Sequence, residues 1–390
     1  MSAQALRAGA VLTVDLDAIV ANWRFLSDMA TPAECAAVVK ADAYGLGAAE
    51  IAAALQAAGC KTFFVAHLDE GLDLRKAVGF NSRVFVLNGT PPGAENEFLR
   101  SVLIPVINTA GELAAWRRRA YEAGRSMPVA LQLDTGMSRL GLSSGDVATL
   151  AGDPDLLVGL SMELVMSHLA CADEPAHAAN RRQQREFVKL RSALSKRARS
   201  SLANSSGIFL GSSFHFDLVR PGAALYGINP APGKANPMRQ ILTLSARVLQ
   251  LRDVTAGSYV GYGHAYRAER RTRLVTLSVG YADGWPRGAN LSAFYKGQAL
   301  PFAGRVSMDS IVVDATDCAD APPEGAFVDL ICPEQTADDI ARVAGTIGYE
   351  VLTRLGRRFS RDYRRHAALA ARSAHGTATR NIQRIHRLRR

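Results

Sequence analysis

The stretch AAVVKADAYGLGAAEIAAALQAAGCKTFFVAHLDEGLDLRKAVGFNSRVFVL, residues 36–87, decides the reading of the fold. Three short apolar runs, AAVVKA (36–41), TFFVA (62–66) and RVFVL (83–87), are separated by AAEIAAALQAAG and DEGLDLRKAV, which read as amphipathic helices. Apolar strands joined by helices imply a parallel sheet. The rhythm continues on both sides. Upstream, VLTVDL (11–16) precedes DAIVANWRFLSDMA, where Ile19, Trp23, Leu26 and Met29 fall at helical spacing. Downstream come PGAENEFLR, VLIPVI, GELAAWRRRAYEAG, PVALQLD (128–134), LVGLSMELVMSH and the charged helix NRRQQREFVKLRSALSKRA. Roughly eight such units predict an α/β chain with an N-terminal (β/α)8 TIM-like barrel. An open doubly wound sheet fits less well, because no G-x-G-x-x-G follows the first strand.

After residue 240 strands follow one another without helices between them: ILTLSARVLQLRDV, SYVGYGHAY, TRLVTLSVGYA, LSAFYKGQALPFAG, DSIVVDAT and AFVDLIC. Only ADDIARVAG and GYEVLTRLG read as helices there. The predicted organisation is an N-terminal segment 1–10 packing with the C-terminal domain, a barrel over 11–240, a mostly-β domain over 241–363 and a basic tail over 364–390. The boundary lies near the Pro/Gly-rich NPAPGKANP.

The chain has 390 residues, 48% hydrophobic and 21% charged, the composition of an ordinary globular protein. No run of 18 apolar residues suggests a membrane span. Asp15 and Asp17 interrupt any secretory apolar region, so a cytoplasmic protein is expected. Five cysteines without C-x-x-C spacing argue against disulfides and structural zinc, and no metal is expected. The formal charge of +10 resembles a nucleic-acid signal until it is located. Residues 364–390 hold eight Arg and no acid, so the remainder is nearly neutral and no nucleic-acid partner is expected.

In a barrel the chemistry sits at the carboxyl ends of the strands. Lys40 closes AAVVK. A strand-end lysine is ordinarily a solvated cap, but a desolvated one has the lowered pKa that imine chemistry with a carbonyl compound requires. Tyr44, Gly45 and Gly47 follow it, Arg139 closes LQLDTGMSRLG, and His168 closes LVMSHLACAD. Asn204, Ser205 and Ser206 stand where a strand gives way to a helix start, a place for an N-cap or an anion. Arg220 precedes Gly222 and Ala223, whose N–H groups could meet phosphate oxygens. Together these residues describe a site for a phosphorylated, electron-withdrawing aldehyde cofactor.

These motifs also carry a family resemblance. VVKADAYGLG, LDTGMSRLG, SHLACAD, LANSS, DLVRPGAALYG, VGYGHAY, GYADGWPRG, GRVSMD and GTIGYEVLTRLGRRFSRDY resemble, in order from residue 11 to about 363, the alanine racemases. The resemblance implies a pyridoxal 5′-phosphate enzyme that interconverts L- and D-alanine. It also implies a homodimer in which the partner's C-terminal domain completes each site. Lys40 would be the cofactor-bearing lysine and one catalytic base, and Tyr262 of the partner subunit the other. Tyr44, His168, Ser205, Arg220, Gly222, Ala223 and Tyr349 would hold the cofactor, with Arg220 facing the pyridine nitrogen. Arg139 and Met308 would meet the substrate carboxylate, and Asp309, Tyr281, Arg287 and Arg305 would line the partner's side and the entrance. Gln132 stands where many members have a carbamylated Lys, implying that a neutral amide holds Arg139. Ser307 replaces a frequent Cys. The same resemblance leaves open a broader-specificity racemase or a pyridoxal-phosphate decarboxylase of the same fold group, and either a biosynthetic (peptidoglycan) or a catabolic role.

Overall fold

The computed structural model describes residues 7–194 and 198–365. The strand segments Ala37–Val38, Thr62–Val65, Arg83–Val86, Ile104–Ile107, Met127–Gln132, Leu160–Met166 and Ser200–Ser201 pair in parallel, each with the next. Glu34–Cys35 leads into the first of these and pairs in parallel with Leu218–Val219. The latter is tied in turn to the seventh strand by Asp217 N–H donating to Ser200 O at 3.0 Å and Arg220 N–H to Ala203 O at 2.9 Å. The ring is therefore closed at eight strands, and helices occupy the connections, as the sequence predicts. Its interior is filled by Ala36, Val38, Phe64, Phe85, Val106, Ala130, Leu164, Met166 and Leu218. Phe64 and Phe85 stack at 4.9 Å between ring centroids.

One strand expectation is corrected. The sequence pattern puts VLTVDL in the barrel as its first strand, with the barrel starting at residue 11. The strand Ala10–Asp15 instead lies in the C-terminal sheet, antiparallel to Leu242–Val254 and parallel to Ser360–Arg364. The physical reason is visible in burial. Ala10–Asp15 alternates buried and half-buried residues, as a sheet with one covered face demands, whereas Thr62–Val65 and Ile104–Ile107 are buried throughout. From Ala10–Asp15 in the second domain the chain crosses by the helix Leu16–Ala30, whose first turn is capped by Asp15 accepting from Ala18 N–H. It then enters the barrel at Glu34. Just before the strand, Gly9 O and Ala8 O accept from Arg247 of the C-terminal domain. Residues 1–6 and the tail beyond 365 lie outside the described residues.

The C-terminal sheet runs in the order Gln298–Pro301, Ser292–Tyr295, Phe327–Ile331, Leu242–Val254, Ala10–Asp15 and Ser360–Arg364. Thr272–Leu277 pairs with Leu242–Val254 and with Ile311–Asp314. Asn22 of the crossing helix bonds Leu225 O and both the carbonyl and the N–H of Arg239, fixing the linker between the domains. The helix Gly348–Arg354 lies against the barrel mouth, so close to Gly45 that a Cβ there would stand 2.9 Å from Leu352 O. Among the described residues no helix is long and apolar enough to cross a membrane.

Candidate active site

The first barrel strand ends in a left-handed turn. Ala41, Asp42, Ala43 and Tyr44 all have φ between 52° and 58°. For side chains with a Cβ this costs about 1–2 kcal/mol per residue, and four in succession persist only if their surroundings enforce them. The surroundings do so from both domains. Glu70 Oε1 accepts from Ala41 N–H at 2.7 Å, and Asp42 Oδ1 from Ala48 N–H at 2.8 Å. Arg361 donates to Gly45 O and Tyr363 to Leu46 O, each at 2.9 Å. The turn swings Tyr44 back beside Lys40's strand, where its buried ring meets those of Tyr226 and Tyr349 at 4.7 and 6.1 Å.

Lys40 opens into a cavity of about 1650 Å³, counting its wide mouth, at the carboxyl ends of the strands. Tyr44, Gln132, Arg139, His168, Asn204, Ser205, Arg220, Gly222, Ala223 and Tyr349 line the same cavity. Eleven sequence-predicted residues from six stretches of chain thus converge. Asn88, Phe64, Leu140, Ile347, Glu350 and Thr353 also line it and were missed. Asn88 directly follows RVFVL, so the strand-end rule applied to every strand would have found it.

Burial, reinforced by Arg139, holds the Lys40 amine below the ordinary lysine value, while Glu70 opposes the shift. Arg220 is buried, donating to Ser201 Oγ and to Ser167 O, the latter at 2.6 Å. Burial brings its pKa to about 9, so the cation persists at neutral pH. Burial, then Arg220, Arg139 and Lys40, push the His168 imidazole down to about 3, which leaves it neutral. Burial and the neighbouring Tyr349 raise the Tyr44 phenol, which stays protonated.

Ser205 Oγ accepts from Gly222 N–H at 2.9 Å and from Ala224 N–H at 3.2 Å, drawing the two loops predicted to bind phosphate into one corner. A Cβ on Gly222 would run into the Tyr44 hydroxyl. Gln132 does not act as expected: its Nε2 donates to Leu140 O at 3.1 Å. It therefore braces the backbone beside Arg139 and not the guanidinium, which is exposed at the cavity. The turn below is shaped by Asp134 Oδ1, which accepts from Gly136, Met137 and Ser138 N–H.

Tyr262, Tyr281, Arg287, Arg305, Met308 and Asp309 do not line this cavity in the single chain. Most of them gather elsewhere on the C-terminal domain. Tyr262 is 66% exposed, Met308 53% and Tyr281 39%. Tyr281 N–H bonds Ser307 O and Ala282 N–H bonds Met308 O, so the two loops form one face, and Gly263 packs beside Arg305. Asp309 is paired with Arg358 at 2.7 Å. Arg287 lines a separate cavity.

Comparison with known proteins bears on this arrangement directly. Residues 14–230 match the family described as alanine racemase, N-terminal domain, and residues 241–363 the alanine racemase, C-terminal domain. The chain belongs to the alanine racemase family. It is 53% identical over 360 residues, 91% of this chain and 93% of its relative, to a catabolic alanine racemase of Mesorhizobium japonicum. It is 48% identical to an alanine racemase of Rhodospirillum rubrum, covering 92% of this chain and 96% of that protein. A crystal structure of alanine racemase from Bartonella henselae with covalently bound pyridoxal phosphate superposes with a TM-score of 0.88 at 42% identity. It covers 92% of this chain and all of that one. Alanine racemases are pyridoxal-phosphate-dependent isomerases, so the chain is an enzyme of that class.

Proposed function

We propose that this chain interconverts L- and D-alanine with pyridoxal 5′-phosphate, using Lys40 and Tyr262 of the partner subunit as the two bases. The observation that carries the reading is the charge of the cavity: among the described residues, Lys40, Arg139 and Arg220 face it against one carboxylate, Glu350. Such a lining suits a ligand with a phosphate and a substrate with a carboxylate. Lys40, with its lowered pKa, fits as the amine that holds the cofactor's aldehyde carbon. Tyr44, Ser205, Gly222, Ala223 and Tyr349 would hold the phosphate, and Arg220 the pyridine nitrogen. When bound, the cofactor withdraws electrons from the substrate's α-carbon and so acidifies its proton.

The remaining work falls to the chain itself. Racemisation needs a proton removed from one face of the α-carbon and another delivered to the opposite face, hence two bases. The Lys40 amine serves one face. Tyr262 of the partner subunit serves the other, its phenol helped by neutral His168, which can donate from one ring nitrogen while accepting from Arg220 at the other. Arg220 has only donors, so a pyridine nitrogen placed against it would remain an unprotonated acceptor, which would limit how strongly the bound cofactor withdraws electrons. That would favour prompt return of a proton to the α-carbon over transamination. A decarboxylase of this fold group would present a carboxylate there. Arg139 would steer the substrate carboxylate. We assign the enzyme to a homodimer, since Tyr262 and Met308 are exposed and outside the cavity of their own chain. Its role is the interconversion of the alanine enantiomers, for peptidoglycan supply or for D-alanine breakdown.

The test is direct. Purified protein reduced with borohydride and digested should carry the cofactor mass on the peptide containing Lys40. The same preparation assayed with L-alanine, L-serine, L-lysine and L-arginine should racemise alanine fastest. Label on another lysine, or lysine or arginine outpacing alanine, overturns the assignment.

A further inference from the structure

Glu70 sits at the third position of the helix Leu68–Val78, where a carboxylate ordinarily closes its own helix cap. Its Oε2 does this, accepting from His67 N–H at 3.2 Å and also from Ala66 N–H at 2.7 Å. Its Oε1 reaches back to the preceding unit and accepts from Ala41 N–H at 2.7 Å. Ala41 is the residue after Lys40 and the first of the four left-handed residues. One carboxylate thus bridges the ends of the first two barrel strands at the point from which the Lys40 side chain departs.

The barrel contains an internal control. Two units further on, Glu112 occupies the same position of the helix Ala110–Ala123, and its Oε2 accepts from Asn108 N–H at 2.7 Å and Thr109 N–H at 3.2 Å. Its Oε1 likewise reaches back, to Thr90 N–H at 3.3 Å. The two glutamates perform the same structural task. They differ in that Thr90 adjoins no member of the cavity's charged set, whereas Glu70 faces Lys40 along with Arg139.

We propose that Glu70 is a positioning residue for Lys40: its carboxylate pins the left-handed turn that aims the amine and supplies the negative charge facing it. This rests on the reading of Lys40 as the cofactor-bearing base. The energetic sense is definite. Burial and Arg139 both favour the neutral amine, and Glu70 is the group that favours the ammonium. Removing its charge therefore moves the amine's titration to lower pH, while replacing one acceptor oxygen by an amide NH2 loosens the turn.

The experiment compares Glu70→Gln with Glu112→Gln in the full-length chain. Three readouts are taken: the pH dependence of the rate at which cofactor-free protein recaptures pyridoxal phosphate, the visible spectrum of the holoenzyme against pH, and kcat and KM. Recapture requires the neutral amine, so its midpoint reports Lys40. Glu70→Gln should lower that midpoint by about half a pH unit or more. It should also reduce kcat about tenfold with a smaller change in KM, as a displaced base does. Glu112→Gln should leave the midpoint in place and kcat within about twofold, even where thermal stability falls by a similar amount in both variants. An unmoved midpoint in Glu70→Gln, or an equal shift in Glu112→Gln, overturns the inference. Borohydride mapping of the wild-type protein separates the two readings. Cofactor trapped on Lys40 with Glu70→Gln indistinguishable from wild type removes only the role of Glu70, whereas cofactor trapped elsewhere removes both.

Discussion

The barrel mouth and the exposed face of the C-terminal domain carry residues of the same proposed reaction in opposite states. At the mouth Arg220, Ser205 and Tyr44 are buried; the first two are hydrogen-bonded within the barrel, and Tyr44 packs between Tyr226 of the barrel and Tyr349 of the C-terminal domain. On the other face Tyr262 and Met308 are more than half exposed. A side chain that must place a proton on a particular face of a substrate gains nothing from free rotation in water. Under the proposed function, the contrast teaches that one chain would supply a finished cofactor site and only the raw parts of the second base's site. A second copy related by twofold symmetry would supply the missing wall to each mouth.

The most severe way to break this comparison is to remove one base from each half. Lys40→Ala and Tyr262→Phe proteins should each lose roughly 10²–10⁴-fold in activity, the usual contribution of a positioned acid–base group. Mixed in equal amounts and allowed to exchange subunits, half the dimers become hybrids. Each hybrid collects both defects in one site and restores the other, so activity should recover to about a quarter of wild type on symmetry alone. Recovery should follow the exchange rate seen by native mass spectrometry. Verified exchange with no regained activity would place both bases in one chain and make the exposed face irrelevant to the mouth.

Much of the mouth was legible because its residues close apolar strands. Lys40, Arg139, His168 and Arg220 could be picked out by asking which reactive side chains end such runs, and the cavity gathers all four. What escaped had physical causes. VLTVDL passed for a barrel strand because a six-residue apolar run does not announce its sheet. Only the alternation of Leu12 and Val14, fully buried, with half-buried Val11 and Thr13 separates it from TFFV. The seventh and eighth barrel strands form ladders of only two residues each, too short for any periodicity. The left-handed turn after Lys40 was invisible because Ala-Asp-Ala-Tyr has no intrinsic preference for positive φ, which is imposed by Glu70, Arg361 and Tyr363 from distant parts of the chain. The Gln132 contact is hidden for a related reason: its type shows what it can donate, not that Leu140 O accepts from it.

A smaller effect sharpens the same contrast through pH. The folded state holds His168 near a pKa of 3, against 6.5 for the free side chain. Between those values the unfolded chain binds a proton that the folded chain does not, so stability rises with pH there. The contribution is therefore complete above pH 6.5 and drains away as the pH falls toward 3. Thermal denaturation of cofactor-free protein from pH 7 downward should show a falling Tm, with a shallower decline in His168→Asn. Parallel declines would mean that His168 is not held neutral between Arg220 and Lys40.

The smallest expected effect concerns the end of the chain, where two cuts a few residues apart should behave differently. Residues 364–390 carry eight Arg and no acidic residue, and the last described contacts with the mouth are made just before them, by Arg361 and Tyr363. The strand Ser360–Arg364 pairs with Ala10–Asp15, and from it Arg361 and Tyr363 reach the carbonyls of Gly45 and Leu46 behind the Lys40 turn. Deleting 370–390 spares every one of these bonds, so kcat should stay within about twofold and Tm nearly unchanged. Deleting from Ser360 onward removes an edge strand of the sheet together with both bonds to the turn, so both Tm and cofactor retention should fall. The decisive quantity is the ratio between the two truncations, measured on dimers of confirmed size. If the shorter deletion already abolishes activity or dimerisation, the basic segment takes part in building the mouth, and the division between a finished half-site and an exposed one must be redrawn to include it.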